Sequence, residues 1–294
     1  MNVLYHYTSL QGFIGLMQNK SIWCSHCEFL NDSSEFVHAL GFASDTTSRI
    51  FMEDDYLNAF SWLISETISE LELSSREVFV TSFSEKADLL SQWRGYCPQG
   101  AGIAIGFDKE LLKEYALNHG IRLEKCLYET STQFNLINSL IGECVKNFPP
   151  ILNVSRHDYH QMSLEDRCRY EVDSHRFIQK PTNKAEVQHL FDKLVEDINF
   201  TAPLMKHHGF HEEAEWRFIA SNPTRDVHYR VSKSHLVPYL ILPVIQEFPE
   251  IVKEIYIGPN PSPHKAKRSI EFLLEKWNFK NVEIYHSKIP FISW

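Results

Sequence analysis

The stretch Val78–Ser84, VFVTSFS, decides the reading of this chain. Val78, Val80, Ser82 and Ser84 fall on one side, and Phe79, Thr81 and Phe83 on the other, the two-residue period of a β-strand. Its first face turns from valine to serine, so the strand is expected to leave the core at that end with hydroxyls displayed. Downstream, Gly102–Phe107 is a near-continuous apolar run, the pattern of a strand buried on both faces. Upstream, residues 2–7 (NVLYHY) have strand propensity, with His6 at the strand's end. Thr8 and Gln11 form a capping box before a helical spacing of Leu10, Phe13, Ile14 and Met17.

Further out, a strand is expected at Ser21–Ser25, then a helix capped by Asp32 with Glu35 three residues on, and a long amphipathic helix over 56–71. Short helices over 88–96 and 109–118 flank the buried strand, and a strand near 121–128 follows. Residues 131–200 read as largely helical. Strands return at Glu215–Ser221, Val227–Val231, Leu236–Leu242 and Val252–Ile257, and a helix over Pro263–Trp277 precedes a strand at Val282–Ser287. The expectation is a single α+β domain over 1–294 with a helical insertion at about 131–200.

The 294 residues carry 29 basic and 38 acidic side chains, a net charge of −9, which gives no bulk attraction to nucleic acid or anionic membrane. The first twenty residues lack the pattern of a secretory signal. No 18-residue apolar run occurs, so no spanning helix is expected. Six scattered cysteines read as reduced thiols of a cytoplasmic protein. Cys24 and Cys27 make one CxxC without a second pair, and His211-Glu212 begins like HExxH with Glu215 where the second histidine belongs; no metal is expected.

Three patches put polar residues where packing does not ask for them: Tyr5–Ser9, Thr81–Ser84 and Glu213–Arg217. Glu213 and Glu215, at i and i+2 entering a strand, are expected on one face. Buried together, one of them should titrate high. The plainer readings are a hydrogen-bonded structural histidine at His6, hydroxyls of Ser82 and Ser84 satisfying nearby backbone, and a solvated glutamate run paired with Arg217. For Trp93-Arg94 it is a structural stack.

Together these patches resemble the ADP-ribosyltransferase superfamily, the NAD-consuming fold of diphtheria-like toxins and poly-ADP-ribose polymerases. There a first strand supplies His or Arg, a middle strand an aromatic or Ser-x-Ser pattern, and a late strand begins with the catalytic Glu. His6, Ser82-Phe83-Ser84 and Glu213-x-Glu215 match that order. More closely, the chain resembles a widespread prokaryotic family of uncharacterised proteins sharing YHYTS, FSE…LSQWRGY and GF-x-E-E-x-E-W-R.

The resemblance implies two split, mostly antiparallel sheets with flanking helices and NAD as substrate. It implies Glu215 as the carboxylate that stabilises an oxocarbenium-like cation, and Glu213 as orienter or base for the acceptor. It implies His6 at the adenosine-side ribose, and the Tyr7 backbone with Thr8 beside the nicotinamide amide. Ser82 and Ser84 would line the cleft, Phe83 or Tyr96 would stack on the nicotinamide ring, and Arg94 would reach the pyrophosphate. The acceptor would be a protein or nucleic acid, or water. In bacteria such proteins are often toxins or anti-phage effectors. Two further readings stay open on the same fold: a non-catalytic protein that binds a nucleotide or nucleic-acid end, and NAD-dependent RNA-end processing like that of tRNA 2′-phosphotransferases.

Overall fold

The structure is a computed structural model that describes residues 2–30, 34–73, 77–97, 102–221, 226–232 and 234–290. In chain order the elements begin β1 (Val3–Ser9), α1 (Leu10–Asn19), β2 (Ile22–His26), α2 (Ser34–Glu53), α3 (Asn58–Leu73), β3 (Val78–Ser84) and α4 (Leu90–Tyr96). Next come β4 (Gly102–Asp108), α5 (Lys109–Asn118), β5 (Arg122–Lys125), α6 (Thr130–Asn147), α7 (Arg156–Gln161), α8 (Leu164–Ile178) and α9 (Pro181–Thr201). The chain continues through β6 (Glu215–Ser221), β7 (His228–Val231), β8 (Leu236–Leu242), α10 (Val244–Glu247), β9 (Val252–Ile257), α11 (Pro263–Lys276) and β10 (Glu283–His286). The expected Asp32 cap lies outside the described residues.

The chain divides into two compact units. One comprises residues 1–31, 77–126 and 206–294, and the other 32–76 and 127–205. The second is helical: α2 and α3 belong to it along with α6–α9. Phe60 packs its ring against Phe148 and Phe191. Buried Asp54 caps the turn at Tyr56 and meets Arg156 at 2.6 Å. Among the described residues, no helix is long and apolar enough to cross a membrane.

The first unit holds the ten strands found among the described residues, with α1, α4, α5, α10 and α11 beside them. The sheet runs β10-β9-β4-β1-β3-β2-β8-β7, and β6 pairs with both β3 and β5. Among the described residues, the strands β9 and β10 pair in parallel and the other named strand pairs are antiparallel. The expected two sheets are therefore joined, through β3, into one large and mostly antiparallel sheet. Its apolar face carries Leu4, Phe79, Phe83, Phe107, Phe218 and Leu240, all buried, together with apolar residues of α1, α5 and α11.

β3 is where the sheet branches. Along one edge it pairs with β6 at every residue, from Val78–Ser221 to Ser84–Glu215. The other edge is shared: β2 takes Phe79 and Val80, and β1 takes only Ser84, opposite Tyr5. The two neighbours diverge between these points, and side chains satisfy backbone groups the ladders leave over. Thr81 Oγ1 donates to the Trp23 carbonyl at 2.7 Å, and His6 Nδ1 meets the Ser82 carbonyl at 3.0 Å.

β1 extends beyond the expected segment, because its ladder with β4 continues to Ser9 opposite Gly102. Thr8 is thus still in the strand, and Ser9 caps α1 in its place, accepting from the Gly12 amide at 3.1 Å. Gly102 is required here: a Cβ would stand 2.0 Å from Cys97 Sγ.

Candidate functional site

Register assigns each site residue to a face. Directly opposed residues of an antiparallel pair share a face, so Tyr5, Ser84 and Glu215 lie on one side of the sheet. Ser82 and Arg217, opposite each other two positions along, lie on the same side. Phe83 faces the other way. Its ring is 2% exposed and packs edge-on against Phe107 and Phe218.

The strand β6 begins at Glu215, so Glu213 is not in it. Glu213 closes a 3-10 turn, His208–Glu213, and Ala214 between the two glutamates adopts a left-handed conformation (φ 43°). The shared placement expected from strand parity is reached by this backbone reversal instead. Ser84 fixes it: its hydroxyl donates to the Glu213 carbonyl at 2.6 Å and accepts from the Lys86 amide at 3.0 Å. The Glu85 amide adds a bond to the Ala214 carbonyl at 3.1 Å.

Glu215 is 3% exposed. Arg217 Nε donates to its Oε1 at 2.7 Å, and Lys206 Nζ to its Oε2. Lys206 also reaches Glu213 Oε2 at 2.6 Å. Burial alone would raise the Glu215 pKa, but Arg217 and then Lys206 reverse this and bring it down to about 2. The expectation that burial together would make a carboxylate titrate high therefore fails at Glu215, because two cations share its site. Arg217 is its partner, as the plainer reading had it, yet the pair is buried. Burial disfavours the Lys206 charge too; attraction to Glu215 outweighs that and lifts its pKa above the ordinary lysine range.

Tyr96, on α4, is 39% exposed. Its hydroxyl is close enough to Glu215, Lys206, Glu213 and Arg217 to feel their charges. Burial first, then Glu215, push its ionisation up, so it remains a phenol.

The other expected site residues lie apart from this cluster. His6 is half-buried at the branch of the sheet and set edge-on to Phe83, with ring centroids 5.9 Å apart. Burial lowers its pKa and the bond to Ser82 opposes. A carbonyl can only accept, so the proton sits on Nδ1, and Nε2 carries the lone pair. Tyr7 is buried with its hydroxyl donating to the Lys86 carbonyl at 2.7 Å and accepting from the Leu89 amide at 3.1 Å. Its ring packs against Trp93, centroids 4.6 Å apart. Trp93 is anchored by its own bond to Asp88 at 2.8 Å, while Arg94 is exposed beside it. Thr8 is half-buried at the end of β1.

The structure thus brings together Glu213, Glu215, Ser82, Ser84 and Tyr96, and adds Lys206 and Arg217. Sequence reasoning missed Lys206. It stands alone between Met205 and a histidine pair, and no periodicity marks it. Chemically the cluster is a buried, ionised carboxylate with a second carboxylate, an ammonium and a guanidinium around it. It can stabilise a developing cation, and its neutral phenol can donate a hydrogen bond.

Residues 92–218 match the model of a family described as "Protein of unknown function (DUF2971)". The match runs from α4 into β6 and includes Tyr96, Lys206, Glu213, Glu215 and Arg217. It supports kinship with a family of unknown function over that stretch. No curated protein and no solved structure matches the chain.

Proposed function

We propose that this chain is an ADP-ribosyltransferase-like enzyme that consumes NAD and passes ADP-ribose to a macromolecular acceptor or to water. The observation that carries the reading is Glu215. It opens a strand next to the Ser82 and Ser84 hydroxyls, and it is buried yet ionised.

Cleavage of the nicotinamide–ribose bond releases neutral nicotinamide and leaves positive charge on the ribose, as in glycoside hydrolysis. A carboxylate that is ionised and already oriented stabilises that charge without reorganising. The acceptor's oxygen or nitrogen then bonds to the ribose carbon, and its proton passes to Glu213 and on to solvent. Tyr96 is the half-exposed aromatic beside the charges, and with Phe83 enclosed in the core the stacking role falls to Tyr96. His6, one position on from Tyr5, faces the Phe83 side of the sheet and stands outside this cluster, while Arg94, exposed on α4, serves the pyrophosphate. The superfamily fold is supported by the order of the motif strands, β1, β3 and β6, and by the branching of β3.

Binding without turnover is the second reading. It is favoured by one feature: both Glu215 oxygens already hold a cationic partner. The deciding experiment is nicotinamide release from NAD by the purified protein, with and without lysate as a source of acceptor. The first reading expects release that falls at least ~100-fold in Glu215→Gln. A rise in melting temperature with NAD, and no release, selects the second. Neither release nor a thermal shift overturns both.

A further inference from the structure

We propose that Lys206 is the positioning residue of this site: clamped between Glu213 and Glu215, its ammonium holds the two carboxylates side by side at the start of β6. For its catalytic consequence the proposal rests on the reading of Glu215 as the reacting carboxylate.

Lys206 precedes the turn and Glu213 ends it, so their 2.6 Å contact closes a loop of seven residues' separation. The same ammonium contacts Glu215 Oε2. One nitrogen thus ties the turn to the strand across Ala214, whose left-handed backbone costs energy in a residue with a Cβ. The lysine side chain is 6% exposed and the carboxylates 13% and 5%, so water screens the trio little. Nζ also lies 5.1 Å from the centre of the Phe210 ring, which lets an aromatic face share its charge.

The charged and titratable groups facing Lys206 include Glu213 from the turn, Glu215 and Arg217 from β6, and the Tyr96 hydroxyl from α4. Arg217 reaches Glu215 through Oε1, and the described contacts of the Glu213 carboxylate are with Lys206. Without the ammonium, the two carboxylates would lose the cation they share in a site that water reaches little. Like charges so placed repel, which favours the uptake of a proton by one of them. Lys206 therefore does more than pack: it offsets the repulsion between the two carboxylates and holds down the pH at which one of them takes up a proton.

The test compares wild type with Lys206→Met, Lys206→Arg and the double variant Lys206→Met/Glu213→Gln. Two quantities are read against pH: carboxyl ¹³C shifts of labelled glutamate, and kcat/KM for nicotinamide release from NAD. In Lys206→Met one site carboxylate should gain a proton at a pH at least about 1 unit higher than in wild type, with the acid limb of kcat/KM moving by the same amount. Lys206→Arg should keep the wild-type titration. The double variant, with no second carboxylate left to repel, should return toward it.

Coincident titrations of wild type and Lys206→Met would overturn the proposal, as would a double variant that titrates like Lys206→Met. Should Lys206→Met fail to fold, the double variant carries the test: a high-titrating carboxylate in it overturns the proposal, and wild-type behaviour supports it. If wild type releases no nicotinamide, the NAD reading fails, while the ¹³C titration still decides the role of Lys206.

Discussion

Ser84 and Glu213, 129 residues apart, are joined by a 2.6 Å hydrogen bond from the serine hydroxyl to the glutamate carbonyl. The same oxygen accepts from the Lys86 amide. This one hydroxyl sets where β3 ends and where the turn into β6 must lie. Replacing it with a methyl strands a carbonyl and an amide. Ser84→Ala is expected to lower stability by ~1–3 kcal/mol, read as a lower urea midpoint with an unchanged m-value. Stability equal to wild type would show that both groups find other partners.

Glu215 links the site to acid stability. Its folded pKa lies near 2, below the usual 4.5, so the unfolded chain binds this proton first as pH falls. The stabilisation from its ion pairs is complete above about pH 4.5 and is lost on descending toward pH 2. Full loss is on the order of 3 kcal/mol by linkage. Wild type should therefore lose stability across that window more steeply than Glu215→Gln, in denaturant titrations at stepped pH. Parallel curves would mean that the pairs contribute nothing.

His6 acts in a higher window. Burial lowers its pKa from the usual 6.5, so below about pH 6.5 the unfolded state takes up a proton that the folded state refuses. Stability falls with pH there. His6→Gln keeps an amide donor for the Ser82 carbonyl without a group that titrates. Its stability should be flat relative to wild type between pH 7.5 and 5. A difference between the two proteins that does not change with pH would overturn this assignment.

Tyr7 is expected to be a structural hub. Its hydroxyl bridges the Lys86 carbonyl and the Leu89 amide, which holds the segment from β3 to α4. Tyr7→Phe removes both bonds and should cost ~1–3 kcal/mol. Amide exchange should accelerate at Leu89. Exchange there at the wild-type rate would show the segment to be held by other contacts.

Much of the sheet was legible in advance. The alternation of Val78–Ser84 gave its two faces, and β6 and β8 begin and end where their patterns do. Local signals failed where a long-range contact decides. The ladder to β4 carries β1 through Thr8, so the capping role passes to Ser9. The helices of 131–200 share their unit with α2 and α3, a grouping set by tertiary packing. At the site, the pairing of Glu215 with Arg217 follows from their spacing on one strand. Lys206 joins it only through a turn whose reversal depends on a left-handed alanine, and no composition rule announces that.

The branching at β3 also shapes how the chain is made. β3 is synthesised long before β6, its one full-length partner, and until then only a few rungs to β1 and β2 are available to it. The waiting segment, VFVTSFS, has no charge, no proline and strong β-propensity, the combination that favours pairing with copies of itself. For as long as β6 is missing, the nascent protein carries an adhesive strand on display. Truncation before residue 215 would leave that strand permanently without its full-length partner, and such fragments should accumulate as aggregates.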